Sequence, residues 1–304
     1  MPDRPGRISL VGLGNMGSPM AARWIEAGVE VHGFDTSPAA LEQLTSAGGV
    51  AAASPAAAAA AATIHVLMLP NSRIVDAVLD DLLASDALQK GSIVVDMSSS
   101  EPTRSIANAE RLAERGVGFV DAPVSGGVRG VLAGNLAILV GGTAPAIDTV
   151  LPLLEVLGTP RHVGDVGAGH AAKALNNLVS AAHLWATSEA VLVAERFGIP
   201  RETMVEVLNA STGRSVSSEV KWPKFILTGD YGSGFQAGLL SKDANVAVGL
   251  GEQLGVPSLL GPAVAELWQR AASELPPGSD HTEVARWLES AFAEAPPRTG
   301  EPRP

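Results

Sequence analysis

Apolar and polar positions follow two rhythms up to about residue 165 and one rhythm afterwards. In the first part, short continuous apolar runs alternate with longer stretches that are apolar every three or four positions, so strands and helices are expected to alternate. Strands are expected at 9–11, 29–34, 64–69, Ile93–Asp96, Gly118–Asp121 and 136–140. Helices are expected at 18–27, closed by Gly28, and at 38–46, opened by Ser37-Pro38 and closed by Gly48-Gly49. An alanine run at 56–62 behind Ser54-Pro55 reads as a high-propensity surface helix. Two more helices are expected, at Ser72–Ala84 and from Glu101-Pro102 to Arg115. This order is that of a doubly wound, mostly parallel sheet. Past His162-Val163 no convincing strand appears. A long helix at 167–197, ended by Gly198, leads into helices at 200–208, 220–226, 240–254, 264–273 and 282–292. The domains expected are therefore 1–165, α/β, and 166–294, all-helical. The final stretch 295–304, APPRTGEPRP, reads as a disordered tail.

The first α/β unit carries the most specific pattern. ISLVGLGNMG places Gly12, Gly14 and Gly17 in the G-x-G-x-x-G spacing, between a strand and a helix. The first glycine permits a tight turn, the second lets a pyrophosphate approach the backbone, and the third lets helix and strand pack closely. Free N–H groups at the helix start then hold phosphate oxygens. Asp35 ends the second strand eighteen residues beyond Gly17, where an acid binding the ribose hydroxyls is expected. Gly12, Leu13, Gly14, Asn15, Met16, Gly17 and Asp35 are thus candidate cofactor contacts. So are Leu69, Pro70 and Asn71, which follow a strand at the edge where open sheets bind ligands. The fold class expected is an N-terminal Rossmann-type doubly wound sheet plus a C-terminal all-α domain, joined by a long helix. Asp35 repels a 2′-phosphate, and Thr36 and Ser37 bring no cation to attract one, so NAD is expected over NADP.

Composition narrows the class. The 304 residues are 46% hydrophobic, enough for a substantial core. A net charge of −11 disfavours nucleic acid and anionic membrane surfaces as partners. The chain has no cysteine, which excludes thiolate chemistry and fits the cytosol. MPDRPGR has no signal-peptide core, and no apolar run reaches membrane-spanning length, so a soluble, cytoplasmic protein is expected. The six histidines share no metal-ligand spacing, and His65 reads as a satisfied core histidine. Neither a G-x-S-x-G elbow nor a G-x-x-x-x-G-K-[ST] loop is present.

Lys173 lies in the apolar helix start GAGHAAKALNN, with Asn177 one turn on. Burial and the positive end of the helix both disfavour an ammonium, which lowers the pKa toward general acid/base use. A lysine snorkelling to the surface is the bland reading of the same pattern. Ser125, Gly126 and Gly127 follow a strand and can bind a carboxylate or form a plain turn. Ser98 and Ser99 end another strand and can meet a cofactor or cap a helix. Lys242-Asp243 reads by itself as solvated surface.

Taken in order, these stretches resemble the β-hydroxyacid dehydrogenase family. The resemblance rests on VGLGNMGSPMA, on DAPVSGG followed by GNL, on GAGHAAKALNN and on GFQAGLLSKD, and it spans nearly the whole chain. It implies reversible hydride transfer between a nicotinamide cofactor and a small β-hydroxy acid such as 3-hydroxyisobutyrate. It also implies Lys173 as acid/base, Asn177 as its partner on the substrate and Ser125 to Gly127 around the substrate carboxylate. Ser99 stands where the family usually has threonine beside the nicotinamide, Phe235 walls the pocket, and Lys242 reaches the cofactor or substrate. A homodimer or homotetramer is implied as well. Two positions depart from the pattern: Val131, where many members have alanine, and Arg129, which either reads a second anionic group or is exposed. A reductase of a short semialdehyde acid is the alternative within this class. A non-catalytic dinucleotide-binding regulator is the alternative outside it.

Overall fold

The computed structural model describes residues 6–256 and 258–294; the tail expected at 295–304 lies outside them. The chain divides into two compact units, at Ala174/Leu175. The first holds a sheet that is nine-stranded among the described residues, formed by β1 (Arg7–Val11), β2 (Glu30–Phe34), β3 (Val50–Ala51), β4 (Ile64–Leu67), β5 (Ile93–Asp96), β6 (Gly118–Asp121), β7 (Val124–Ser125), β8 (Leu136–Gly141) and β9 (Gly158–Gly164). The order β3-β2-β1-β4-β5-β6 is parallel throughout. β8 runs antiparallel to β6 and β7, and β9 pairs parallel with β8. The chain moves outward in one direction from β1 and in the other from β4, so these neighbours form the switch point where such sheets bind ligands.

Side chains of each strand alternate between two cores. On one face Ile8, Leu10, Val31, Val66 and Val95 meet Met20 and Trp24 of α1 (Gly17–Glu26) and Val150 and Leu153 of α7 (Ala144–Leu154). On the other, Val11, Leu67, Val94 and Phe119 meet Val75, Leu79 and Leu82 of α4 (Ser72–Ala84) and Leu112 of α5 (Pro102–Ala113). The remaining helices of this unit are α2 (Pro38–Ser46), α3 (Pro55–Ala59) and α6 (Gly127–Ala133). The alanine run differs from expectation. Its helix is only five residues long, and Ala58 and Ala59 are buried in it rather than exposed. Small side chains let this helix lie close on the sheet. Ser54 caps it by accepting from Ala57 N–H.

The second unit takes up most of α8 (Ala168–Phe197) and continues with α9 (Arg201–Asn209), a π-helical segment (Ser217–Ile226), α10 (Ala237–Gln253), α11 (Leu260–Glu274), a 3₁₀ turn (His281–Glu283) and α12 (Val284–Glu294). Its core gathers Leu184, Trp185, Trp222, Leu240, Val264, Trp268 and Leu288. The Trp185 and Trp268 rings meet edge to face at 5.8 Å. A single isolated bridge, Gln236 to Asp280, is the only strand-like pairing among the described residues of this unit.

His65, on β4, is 1% exposed. Its Nδ1 bonds Ser9 Oγ at 3.0 Å, but its Nε2 has no hydrogen-bond partner, so the expected satisfied histidine is only half satisfied. Burial lowers its pKa from 6.5 to about 4. An unfolded chain therefore takes up a proton that the folded one refuses, and the stability present above pH 6.5 is lost as the pH falls toward 4. This residue alone is expected to remove about 3 kcal/mol across that window. Urea unfolding of the wild type and His65→Leu at several pH values checks it; parallel pH profiles would refute the assignment.

Candidate active site

The glycine turn divides its labour sharply. Gly12 has φ +100°, and a Cβ there would lie 2.2 Å from Met68 O. A Cβ on Gly17 would lie 2.0 Å from Gly12 O. Both glycines are demanded by the fold. Gly14 is different: a Cβ there would meet nothing within 4 Å, so its face is open to a ligand. No side chain caps the start of α1, a helix end whose first N–H groups lack partners within the helix. The Asp35 carboxylate is held beside the turn, Oδ2 accepting from Leu13 N–H at 2.7 Å and Oδ1 from Ser37 N–H at 2.8 Å. An open backbone cradle, an uncapped helix start and a fixed acid suit the pyrophosphate and ribose of a dinucleotide.

Two more strand-end loops reach the same edge of the sheet. Leu69 N–H donates to Ser98 Oγ at 2.9 Å, which ties the loop after β4 to the loop after β5. Leu69 is half-buried, Pro70 is exposed, and Asn71 caps α4 by accepting from Ile74 N–H. Asp96 holds the second loop by accepting from Ser98 N–H (2.9 Å) and Ser100 Oγ (2.7 Å), with the half-buried Ser99 between them. Ser98 is thus a buried tie between loops rather than the cap of α5, whose N-cap is Glu101.

Lys173 stands in the second turn of α8, and the helix start is fixed by Asp121 at the end of β6. Its carboxylate accepts from Gly167 N–H (2.7 Å) and His170 N–H (2.8 Å). A Cβ on Gly169 would lie 2.4 Å from Leu139 O, so only glycine lets the helix approach this closely. The His170 ring lies within hydrogen-bond distance of Ser98 O (Nε2, 3.0 Å) and of Ser105 Oγ (Nδ1, 2.7 Å). Lys173 itself is 7% exposed, so it does not snorkel to solvent. Ser125 ends β7, and Gly126 and Gly127, with φ of +130° and +59°, turn the chain into α6. Arg129 is exposed on that helix. Val131 is fully buried in the first core, so its extra bulk serves packing.

In the second unit Asn177 is buried, and its Nδ2 donates to Asp243 Oδ2 at 2.7 Å. Asp243, also buried, pairs through Oδ1 with Lys242 Nζ at 3.3 Å. The expectation that Lys242-Asp243 is solvated surface by itself is corrected for Asp243. Phe235 is half-buried; its N–H donates to Asp280 Oδ2, and its carbonyl is 2.9 Å from His281 Nδ1. Among the described residues no group of three or more His, Cys, Asp or Glu is placed to hold a metal, and no helix is long and apolar enough to cross a membrane.

Family models match most of the chain. Residues 7–167 match the NAD binding domain of 6-phosphogluconate dehydrogenase, and 167–288 the NAD-binding domain of NADP-dependent 3-hydroxyisobutyrate dehydrogenase. The chain belongs to the β-hydroxyacid dehydrogenase family. It is 38% identical to 2-(hydroxymethyl)glutarate dehydrogenase of Eubacterium barkeri over 83% of its own length and 84% of that protein. It is 36% identical to mitochondrial 3-hydroxyisobutyrate dehydrogenase of Drosophila melanogaster over 86% and 83%. The solved structure of Mycobacterium tuberculosis 3-hydroxyisobutyrate dehydrogenase with L-serine superposes with a TM-score of 0.89 at 31% identity, covering 94% of this chain and 99% of that one. The enzyme is an NAD(P)-dependent hydroxyacid dehydrogenase.

Sequence reasoning gives no role to Asp121 or His170 and reads Asp243 only as surface. Asp243 carries a legible signal, for it falls on the buried stripe of α10 with Leu240, Ala244 and Ala247. The glycine division yields a direct test. Gly14→Ala is expected to leave the melting temperature within about a degree of wild type and to weaken NADH binding about tenfold or more. Gly17→Ala is expected to destabilise the fold by about 1–3 kcal/mol. Melting curves and fluorescence titration with NADH check both; a destabilised Gly14→Ala would contradict the open cradle.

Proposed function

We propose that the enzyme oxidises a small β-hydroxy acid reversibly with NAD, using Lys173 as general acid/base. The observation that carries this is a buried lysine, 7% exposed, one helical turn before an asparagine whose amide is fixed by the buried Asp243. The neutral amine of Lys173 takes the proton from the β-hydroxyl during oxidation, and its ammonium returns one to the carbonyl oxygen during reduction. Asn177 holds the hydroxyl in place, its orientation set by Asp243. Ser125, with the N–H groups of Gly126 and Gly127, receives the carboxylate. Gly12, Leu13, Gly14, Asn15, Met16 and Gly17 hold the pyrophosphate and Asp35 the ribose. Leu69, Pro70, Asn71, Ser99 and Lys242 border the cofactor, and Phe235 walls the substrate. The nicotinamide, when bound, supplies the hydride acceptor or donor.

The named relatives and the ligand of the solved structure point to one substrate skeleton. 2-(Hydroxymethyl)glutarate, 3-hydroxyisobutyrate and L-serine all carry a primary carbinol on the carbon that bears the carboxylate, and they differ in the third substituent. A 2-substituted 3-hydroxypropanoate is therefore the substrate class proposed here. NAD is preferred over NADP because Asp35 opposes a 2′-phosphate and Thr36 and Ser37 offer it no cation. A homodimer or homotetramer is supported by large apolar side chains exposed on α8, Val193 and Phe197.

NADH formation from 3-hydroxyisobutyrate, L-serine and 2-(hydroxymethyl)glutarate tests the reading. Lys173→Ala is expected to lower kcat by about 10²–10⁴ while NADH still binds. Full activity in that variant would remove Lys173 from the mechanism. Asp35→Ala is expected to shift the ratio of kcat/KM toward NADP, and a wild type that favours NADP would overturn the cofactor assignment.

A further inference from the structure

The face of α8 that carries Lys173 and Asn177 continues for another turn. Ser180 falls three residues past Asn177, so 173, 177 and 180 occupy the i, i+4 and i+7 positions of one helical stripe. Ser180 Oγ accepts a hydrogen bond from Lys221 Nζ at 3.1 Å. Lys221 is half-buried and belongs to the π-helical segment, ten residues that interrupt the α-helical register. Such segments rotate side chains out of their ordinary sequence and occur frequently at functional sites. Here the neighbouring Trp222 is fully buried in the core of the unit. Asn209 Nδ2 donates to Ser218 O (3.1 Å), which fixes the start of the segment. With those residues anchored, Lys221 is directed to α8 rather than to solvent.

Lys221 has a buried histidine for a neighbour. His281 lies close enough to feel the ammonium: burial lowers its pKa, and the charge of Lys221 lowers it further. His281 Nε2 is a buried polar atom without a hydrogen-bond partner, although Nδ1 of the same ring reaches the Phe235 carbonyl. The Phe235 and His281 rings meet edge to face at 5.7 Å. Lys221, Ser180, Asn177, Phe235 and His281 are all supplied by the second unit. On a chain of net charge −11, a doubly charged substrate depends on cations placed locally.

We propose that Lys221 is a specificity-determining residue that receives a second anionic group, a carboxylate or sulfonate, on the variable substituent of the substrate. This rests on Asn177 contacting the substrate hydroxyl. Residues at i and i+3 are about 5–6 Å apart at Cβ, so the second charge lies a short alkyl chain from the carbinol. The ammonium is a point charge that accepts either anion without bidentate geometry. The favoured substrate is then a 2-substituted 3-hydroxypropanoate whose substituent ends in an acid, in preference to one ending in a methyl group.

Calorimetric titration of the NADH-saturated enzyme with glutarate and with butyrate reads this directly. Wild type is expected to bind glutarate about tenfold or more tightly than butyrate, Lys221→Met to bring that ratio close to one, and Lys221→Arg to keep most of it. A wild-type ratio near one, no glutarate binding, or an unchanged ratio in Lys221→Met would each overturn the proposal. Melting curves confirm that the variants fold, and the wild-type ratio decides the matter if Lys221→Met does not. Failure of the dehydrogenase reading shows separately, as absent NADH formation from any hydroxy acid by the wild type.

Discussion

The geometry of the first unit's ligand edge depends on one buried carboxylate. Asp121 spends both oxygens on the N–H groups of Gly167 and His170, at the positive end of α8. A buried carboxylate is costly unless hydrogen-bonded, and bonds from N–H groups to an ionised acceptor are among the strong ones. The arrangement needs two glycines far from it in sequence. A Cβ on Gly141 would lie 2.5 Å from Asp121 Oδ1, and one on Gly169 would lie 2.4 Å from Leu139 O. With α8 fixed in this way, the positions of Lys173 and of the His170 ring follow. The ring in turn fixes the Ser98 carbonyl.

The strand-end loops show how irregular backbone is held without a ladder. Each buried N–H or carbonyl in a loop needs a partner that regular structure does not provide. Ser98 provides three such links, through its Oγ to Leu69 N–H, its N–H to Asp96 and its carbonyl to His170. In the second unit Asp243 does comparable work by fixing the amide of Asn177. Side chains whose rotamers are locked by such bonds meet a ligand already ordered, which lowers the entropy lost on binding.

Much of this is legible in the sequence because it is local. Ile93–Asp96 and Gly118–Asp121 are strands in the structure as the apolar runs indicate, and Ser72–Ala84 is a helix. α7, for which no helix is expected from the sequence, carries Pro145 in its first turn and Pro152 near its end. β9 gives no strand signal in the sequence because GTPRHVG has Val163 as its one large apolar residue and contains Pro160. β7 has only two residues, too few for a periodicity, and α6 was likewise not expected. The π-helical segment matches neither period, so only 220–226 of it was anticipated. The polar ties were invisible for another reason. Most join residues far apart, such as His170 with Ser98 or Asn177 with Asp243, and single-sequence periodicity carries no information about pairs.

The segment around Phe235 has a consequence for the order in which the protein is made. Asp280 accepts from Ser233 Oγ and from the N–H groups of Gly234, Phe235 and Thr282. The acceptor that shapes this stretch is thus synthesised forty-five residues after Phe235. A growing chain has the whole nucleotide-binding unit behind it well before Asp280 emerges from the ribosome, and domains fold as units during synthesis. The nascent enzyme therefore passes through a period in which a dinucleotide fold exists but the stretch 233–235 lacks the carboxylate that holds it. That stretch takes its final form only once Asp280, just ahead of α12, has been made.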